Sequence, residues 1–204
     1  MLPAITLSSP VPVAADTLTR PQAASMLGIS PNTVGKLLNS QFLPHLLSTH
    51  VIALANAPQV GVVEGLLPVL RTAAAARPER AGDTRDFIGD SPTLSDPQFL
   101  EASRQWWRCD AGAIVNAGIL PVAVAGWVTG VLDIQGVETT ERFGPTEVRH
   151  AFTAQVAGRV GALHDRSTYR VLTKDATLAA LTEQLLGARV QAAVSGGPIA
   201  YLSA

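Results

Sequence analysis

Two helix-entry signals eleven residues apart, with a single glycine between them, constrain this chain more than any other feature. Thr19 stands before Arg20-Pro21, and Ser30 stands before Pro31. In each, a hydroxyl can accept a hydrogen bond from the backbone of the coming helix. The proline fits the first turn, where its missing N–H would have had no partner. Gly28 falls where the chain must reverse, and a positive φ costs least at glycine. Ala23 and Ala24 are small enough for two helices to cross closely, Leu27, Val34, Leu37 and Leu38 supply inward faces, and Ile29 can insert under the turn. Ala24 lies four residues before Gly28, Val34 six after it and Leu37 nine after it. The segment Arg20–Asn39 therefore predicts a helix-turn-helix.

At these residues the chain resembles the excisionase and MerR-like helix-turn-helix family. The pattern runs through Thr19-Arg20-Pro21-Gln22-Ala23-Ala24, Leu27-Gly28-Ile29-Ser30, Thr33-Val34, Leu37-Leu38 and Phe42-Leu43-Pro44, within residues 17–55. The resemblance implies a wing after the second helix, in the place of His45 to Leu54. It also implies that double-stranded DNA is read from the outward face of the second helix. That face carries Asn32, Thr33, Lys36 and Asn39, with Ser30 at its start. Asn can bond an adenine edge through paired donor and acceptor, and Lys can reach guanine or phosphate. Arg20 and Gln22 would hold phosphates. The expected wing departs from the family, offering Ser48, Thr49, His45 and His50 where several arginines are usual. An ordinary two-helix packing unit with solvated polar residues is the competing reading.

Charge sharpens this point. Lys+Arg total 15 and Asp+Glu 16, a net of −1, which excludes a large non-specific nucleic-acid binder and makes any DNA contact local. Apolar residues are 47% of the 204-residue chain, enough for a real core, and charged residues are only 15%. Lys36 and Lys174 are the only lysines, and alanine is abundant, a bias that resembles proteins of GC-rich bacteria or their phages. Cys109 is the only cysteine, which excludes an intramolecular disulfide and a cysteine-rich zinc site. The N-terminus lacks a basic n-region, and apolar runs such as Ile119 to Val128 are broken by Pro121 and Gly126. They are too short to span a bilayer, so no membrane partner and a cytoplasmic location are expected.

The fold class expected is α+β, with an N-terminal head and a C-terminal mixed domain containing antiparallel strands. Residues 1–16 read as an arm and 17–70 as the head with its wing. Residues 71–94 read as a linker with four consecutive alanines, and 95–204 as the second domain. Residues 45–70 read as short strands or turns, and their apolar character makes sense if they dock the head against the rest. Ser95-Asp96-Pro97 opens a helix that would carry Phe99, Leu100, Ser103, Trp106 and Trp107 on one face. Ile119 to Ala125 and Trp127 to Ile134 read as adjacent strands, with His150 to Val156 as a third. Ala176 to Leu186 reads as a helix stopped by Gly187, and Pro198 to Leu202 as a closing strand. This second part resembles modules that follow the head in actinobacterial and phage regulators, and loosely PUA-like β-barrels, which often hold nucleic acid or modified bases.

Between Arg142 and Lys174 the net charge is +4, and Arg149, Arg159, Arg166 and Arg170 are candidates for a second DNA contact. A solvated face is the alternative there. No enzyme is expected. Cys109 has no nucleophile motif around it, and His45, His50, His150 and His164 lack metal-ligand spacing. Gly126, Gly130 and Gly136 do not form a phosphate loop, so neither metal nor cofactor is expected. The leading expectation is a sequence-specific transcriptional regulator of bacterial or phage type, most simply a repressor, acting as a homodimer or with a second contact. The alternatives are a phage or plasmid accessory protein, such as an excisionase or antitoxin, and an interaction module that does not bind DNA.

Overall fold

The computed structural model describes residues 16–79, 83–143, 147–191 and 197–204. The arm read at residues 1–16 lies outside them except for Asp16. The fold is mixed α+β, three short helices followed by a curled, mostly antiparallel sheet with further helices packed on it.

Helix α1 (Arg20–Leu27) starts with a capping box: the Thr19 hydroxyl accepts from the Gln22 backbone, and the Gln22 side chain accepts from the Thr19 N–H at 2.9 Å. It stops at Gly28, whose φ of +62° closes the last turn. Helix α2 (Pro31–Asn39) restarts at once, with the Ser30 hydroxyl accepting from the Thr33 N–H at 3.1 Å. Ala23, Ala24 and Leu27 of α1 meet Val34 and Leu37 of α2, all buried. The wing expected at His45 to Leu54 is instead a third helix, α3 (Ser48–Ala55). That stretch has no Gly, Pro, Asn or Asp to turn a hairpin, and Val51 and Leu54 fall at helical spacing and are fully buried.

Among the described residues, seven strands form one sheet. In chain order they are β1 (Leu66–Thr72), β2 (Gln105–Trp107), β3 (Ile119–Val124), β4 (Trp127–Arg142), β5 (Val148–Arg159), β6 (Arg170–Val171) and β7 (Ile199–Ser203). Their spatial order is β2-β5-β4-β3-β1-β7, with β6 on β5. Every pairing is antiparallel except that of β1 with β3. The adjacent strands expected around residues 119–134 are the β3–β4 hairpin. Its two-residue turn, Ala125 and Gly126, has positive φ at both positions, which matches the twist of the flanking strands. Strand β4 runs past Ile134 to Arg142: this mostly polar run carries little apolar signal, yet it pairs with β5 through register shifts at Ile134/Gly136 and Val137/Thr139. Strand β1 crosses the 70/71 position at which the sequence suggested a boundary.

Helix α4 (Asp96–Ser103) starts at the helix-entry signal read at Ser95, where Gln98 completes a capping box, but it ends before the tryptophans. Trp106 and Trp107 lie on β2, not on a helix, and strand alternation sends them to opposite sides. Trp107 is buried, its indole N–H donating to the Ser103 carbonyl at 2.6 Å, while Trp106 meets Phe143 edge-on at 6.1 Å. Helices α5 (Ala111–Ala117) and α6 (Ala176–Leu185) cover the sheet.

One apolar core joins the three N-terminal helices to the sheet: Leu27, Phe42, Val51 and Leu54 belong to the same cluster as Val69, Trp127, Val131 and Leu185. Trp127 is fully buried and its indole N–H donates to the Leu54 carbonyl of α3 at 3.3 Å. Nearby, the Leu163 N–H donates to the Phe42 carbonyl at 3.1 Å, and His50 of α3 stacks on His164 at 3.5 Å between ring centres. Nδ1 of each ring is buried without a partner. Burial, then the neighbouring His50 and, behind it, His45 hold the His164 pKa below its usual value, against the pull of Asp165.

The stretch read as a linker folds back on the sheet. Ala76 and Ile88 exchange backbone hydrogen bonds at 2.8 and 2.9 Å, and Asp90 bonds Ala73 and Ala75. Gly89 permits this, since a Cβ there would meet the Ala74 carbonyl oxygen at 2.5 Å. The loop delivers Asp90 into the interior. Its carboxylate takes Arg159 Nη2 at 3.0 Å, the Thr129 hydroxyl at 2.7 Å and the Ser91 N–H at 2.8 Å. Arg159 also donates to the Ser91 carbonyl at 3.0 Å and lies over the Phe99 ring at 4.0 Å. Burial pushes the Asp90 carboxyl up to about 6, against Arg159 and its other donors, so it is ionised and paired at neutral pH.

Removing one partner of such a pair strands a charge in the interior. Asp90→Ala is expected to cost about 3–5 kcal/mol in urea unfolding, and a loss below about 1 kcal/mol would contradict the placement of this pair. The stacked histidines give a pH signature. The His164 pKa lies below its unfolded value, so the unfolded chain takes up that proton first as pH falls through 6.5, and stability drops there. His164→Gln should flatten the fall in Tm between pH 7.5 and 5.5, and an unchanged slope would show that the ring titrates as in the unfolded chain.

Candidate nucleic-acid interface

The capped helix α2 has two sides. Val34 and Leu37 face the core, and Asn32, Lys36 and Asn39 stand exposed on the other side, four and three residues apart, with Thr33 half-buried beside them. These polar side chains stand on a helix whose start is fixed by Ser30 and whose inner face is fixed by packing. That fixes where their polar ends stand on the surface. Ser30 and Thr33 are less available, because their hydroxyls bond each other at 2.9 Å in the cap. Gln22 Oε1 is occupied in its capping box, while Arg20 is exposed at the first residue of α1.

Beside α2 runs a cleft of about 460 Å³, with Ile29, Thr33 and Lys36 on one wall. The sheet supplies the other wall through Arg71 and Thr72 of β1, the Ala125-Gly126 turn, and Arg189 to Gln191. Three cations line it, and no carboxylate does among the described residues. Arg71 Nη2 donates to the Gly197 carbonyl at 2.5 Å, and Arg189 lies over the Trp127 ring at 5.0 Å. No local sequence signal announces this grouping. Arg71 and Arg189 are more than a hundred residues apart and meet Lys36 only through the β1–β3 pairing and the shared core.

The four arginines considered for a second contact do not gather. Arg159 is buried on Asp90, so it faces no surface. Arg149 pairs with Glu147 and lies over Phe143, at the opposite end of β5 from Arg159 and roughly 30 Å from it at the rise of a strand. Arg170 is held by Asp96 at 2.8 Å. Arg166 is exposed near Tyr169 and lines a separate, largely apolar cleft of about 750 Å³ between the 58–67 loop and α6. The positive count of this segment is thus spread over different places or neutralised.

Other reactive groups are quiet. Burial, with Asp110 adding to it, pushes the Cys109 thiol up to about 11, so it is protonated at neutral pH. His150 is taken by the Thr140 hydroxyl at 2.9 Å. No helix among the described residues is long and apolar enough to cross a membrane. No family model, no curated protein and no solved structure matches this chain.

Proposed function

We propose that the chain is a sequence-specific DNA-binding regulator of bacterial or phage type, most simply a repressor, in which α1 and α2 act as a helix-turn-helix and α2 reads the major groove. One observation carries this reading: the exposed stripe of Asn32, Lys36 and Asn39 on a helix capped at its start and buried along its opposite face. Asn32 and Asn39 supply paired donors and acceptors, Lys36 a positive charge, and Arg20 a phosphate contact at the start of α1. With no wing, one head has little cationic reach, so a homodimer on paired half-sites is part of the proposal. A DNA target also places the protein's work in the cytoplasm.

Selection of bound duplexes from random DNA by the full chain tests this. It should enrich a defined motif, in half-sites about one helical turn apart if the protein acts as a dimer. Asn32→Ala and Lys36→Ala should each weaken binding to that motif by about 1–3 kcal/mol with an unchanged Tm. If no motif is enriched, or both variants bind as the parent does, α2 is not a reading helix and the fold serves protein contacts instead.

A further inference from the structure

We propose that the cleft between α2 and the sheet is a phosphate-binding site, built from Lys36, Arg71 and Arg189 with Thr72 and Gln191 as further donors. Three observations converge on it. The chain as a whole is slightly acidic, yet this concavity of about 460 Å³ gathers three basic side chains and no carboxylate among the described residues. Like charges brought together repel one another, and a bound anion relieves that repulsion. A tetrahedral phosphate group answers it best, because guanidinium forks pair with phosphate oxygens two at a time.

The arginines are also held where they stand. Arg71 is anchored on the Gly197 carbonyl, and Arg189 stacks on the buried Trp127 while its own backbone N–H donates to Pro58 at 2.7 Å. A site whose cations are already ordered loses less conformational freedom on binding. Part of the wall is Gly126, at the hairpin turn, whose φ of +98° disfavours any side chain and leaves backbone open to the cleft.

The position gives the site its use. Lys36 belongs both to the exposed stripe of α2 and to the cleft wall. An anion here therefore sits beside the bases that α2 would read, where the backbone of the same duplex passes. The phosphate source we favour is accordingly a DNA phosphodiester, which rests on the DNA-reading proposal. The cleft thereby becomes the second contact that the missing wing and the scattered arginines of residues 142–174 do not provide. A free phosphorylated small molecule presents the same chemistry, and the two sources separate by experiment.

The first arm titrates the full chain with inorganic pyrophosphate and follows backbone amides by NMR. Saturable shifts at Thr33, Thr72 and Gln191 are expected, weakened at least tenfold in Arg71→Gln and Arg189→Gln. The second arm measures affinity for the selected duplex against salt. Each glutamine variant should lower the slope of log K against log salt by roughly one, while Arg71→Lys and Arg189→Lys retain it. The lysine variants separate loss of charge from loss of packing on Trp127. Pyrophosphate binding with this arginine dependence, but no DNA bound at any salt, leaves the site standing with a free phosphorylated ligand and overturns the DNA reading alone. Absence of pyrophosphate shifts in the parent protein, together with unchanged salt slopes in folded glutamine variants, overturns the phosphate site.

Discussion

The seat of Trp127 against helix α3 decides how the rest of this molecule is used. The indole is fully buried, its N–H donates to the last turn of α3, and its other face carries Arg189. Deleting a buried tryptophan costs about 3–5 kcal/mol in a typical core, so this joint is not a loose tether. Around it Val51 and Leu54 of the head share one cluster with Val69, Val128 and Leu185 of the sheet body. A head held this way has one orientation relative to the sheet, and the sheet then forms one wall of the groove beside α2. A flexible linker would have left α2 alone with Lys36 and no neighbouring cations.

Charge is sorted on the same principle. The interior keeps Arg159 by surrounding Asp90 with an arginine, a threonine hydroxyl and a backbone amide, so both charges are paired and bonded. Elsewhere Arg170 meets Asp96 and Arg104 meets Glu101, while Arg20 and Arg166 stand exposed. In the cleft beside α2, a carbonyl holds Arg71 and an aromatic ring holds Arg189. In a chain of net −1, a cleft lined by three basic side chains stands apart.

Local signals in the sequence translated well into local structure. Thr19, Ser30 and Ser95 cap the helices they announced, Gly28 takes the positive φ expected of it, and the β3–β4 hairpin closes at Gly126. The apolar run of residues 46–70 found its explanation in docking, through Leu54 and Val69. What failed needed long-range information. Trp106 and Trp107 extend the helical spacing of Phe99, but pairing of Gln105 and Trp107 with β5 overrides that periodicity. His45 to Leu54 matched a family wing by position, yet Val51 and Leu54 gain more by packing as a helix. Ala73–Ala76 read as linker by composition, whereas a buried Asp90 some fifteen residues on pins the loop. Arg159 counted as surface charge because its partner lies sixty-nine residues away. The cleft was illegible for the same reason: its cations are neighbours only once β1 lies beside β3.

The central claim is that α2, held by this joint, lies against base pairs, and proximity-directed DNA cleavage tests it most directly. An iron chelate attached at Asn39→Cys in a Cys109→Ser background places a cutting reagent on the exposed side of α2. The account predicts cleavage of both strands focused within the bound motif, while the same chelate at Val137→Cys, on the exposed part of β4, cuts diffusely or not at all. Focused cleavage from position 137 with none from position 39 would contradict it, and would move the nucleic-acid contact to the far end of the long hairpin.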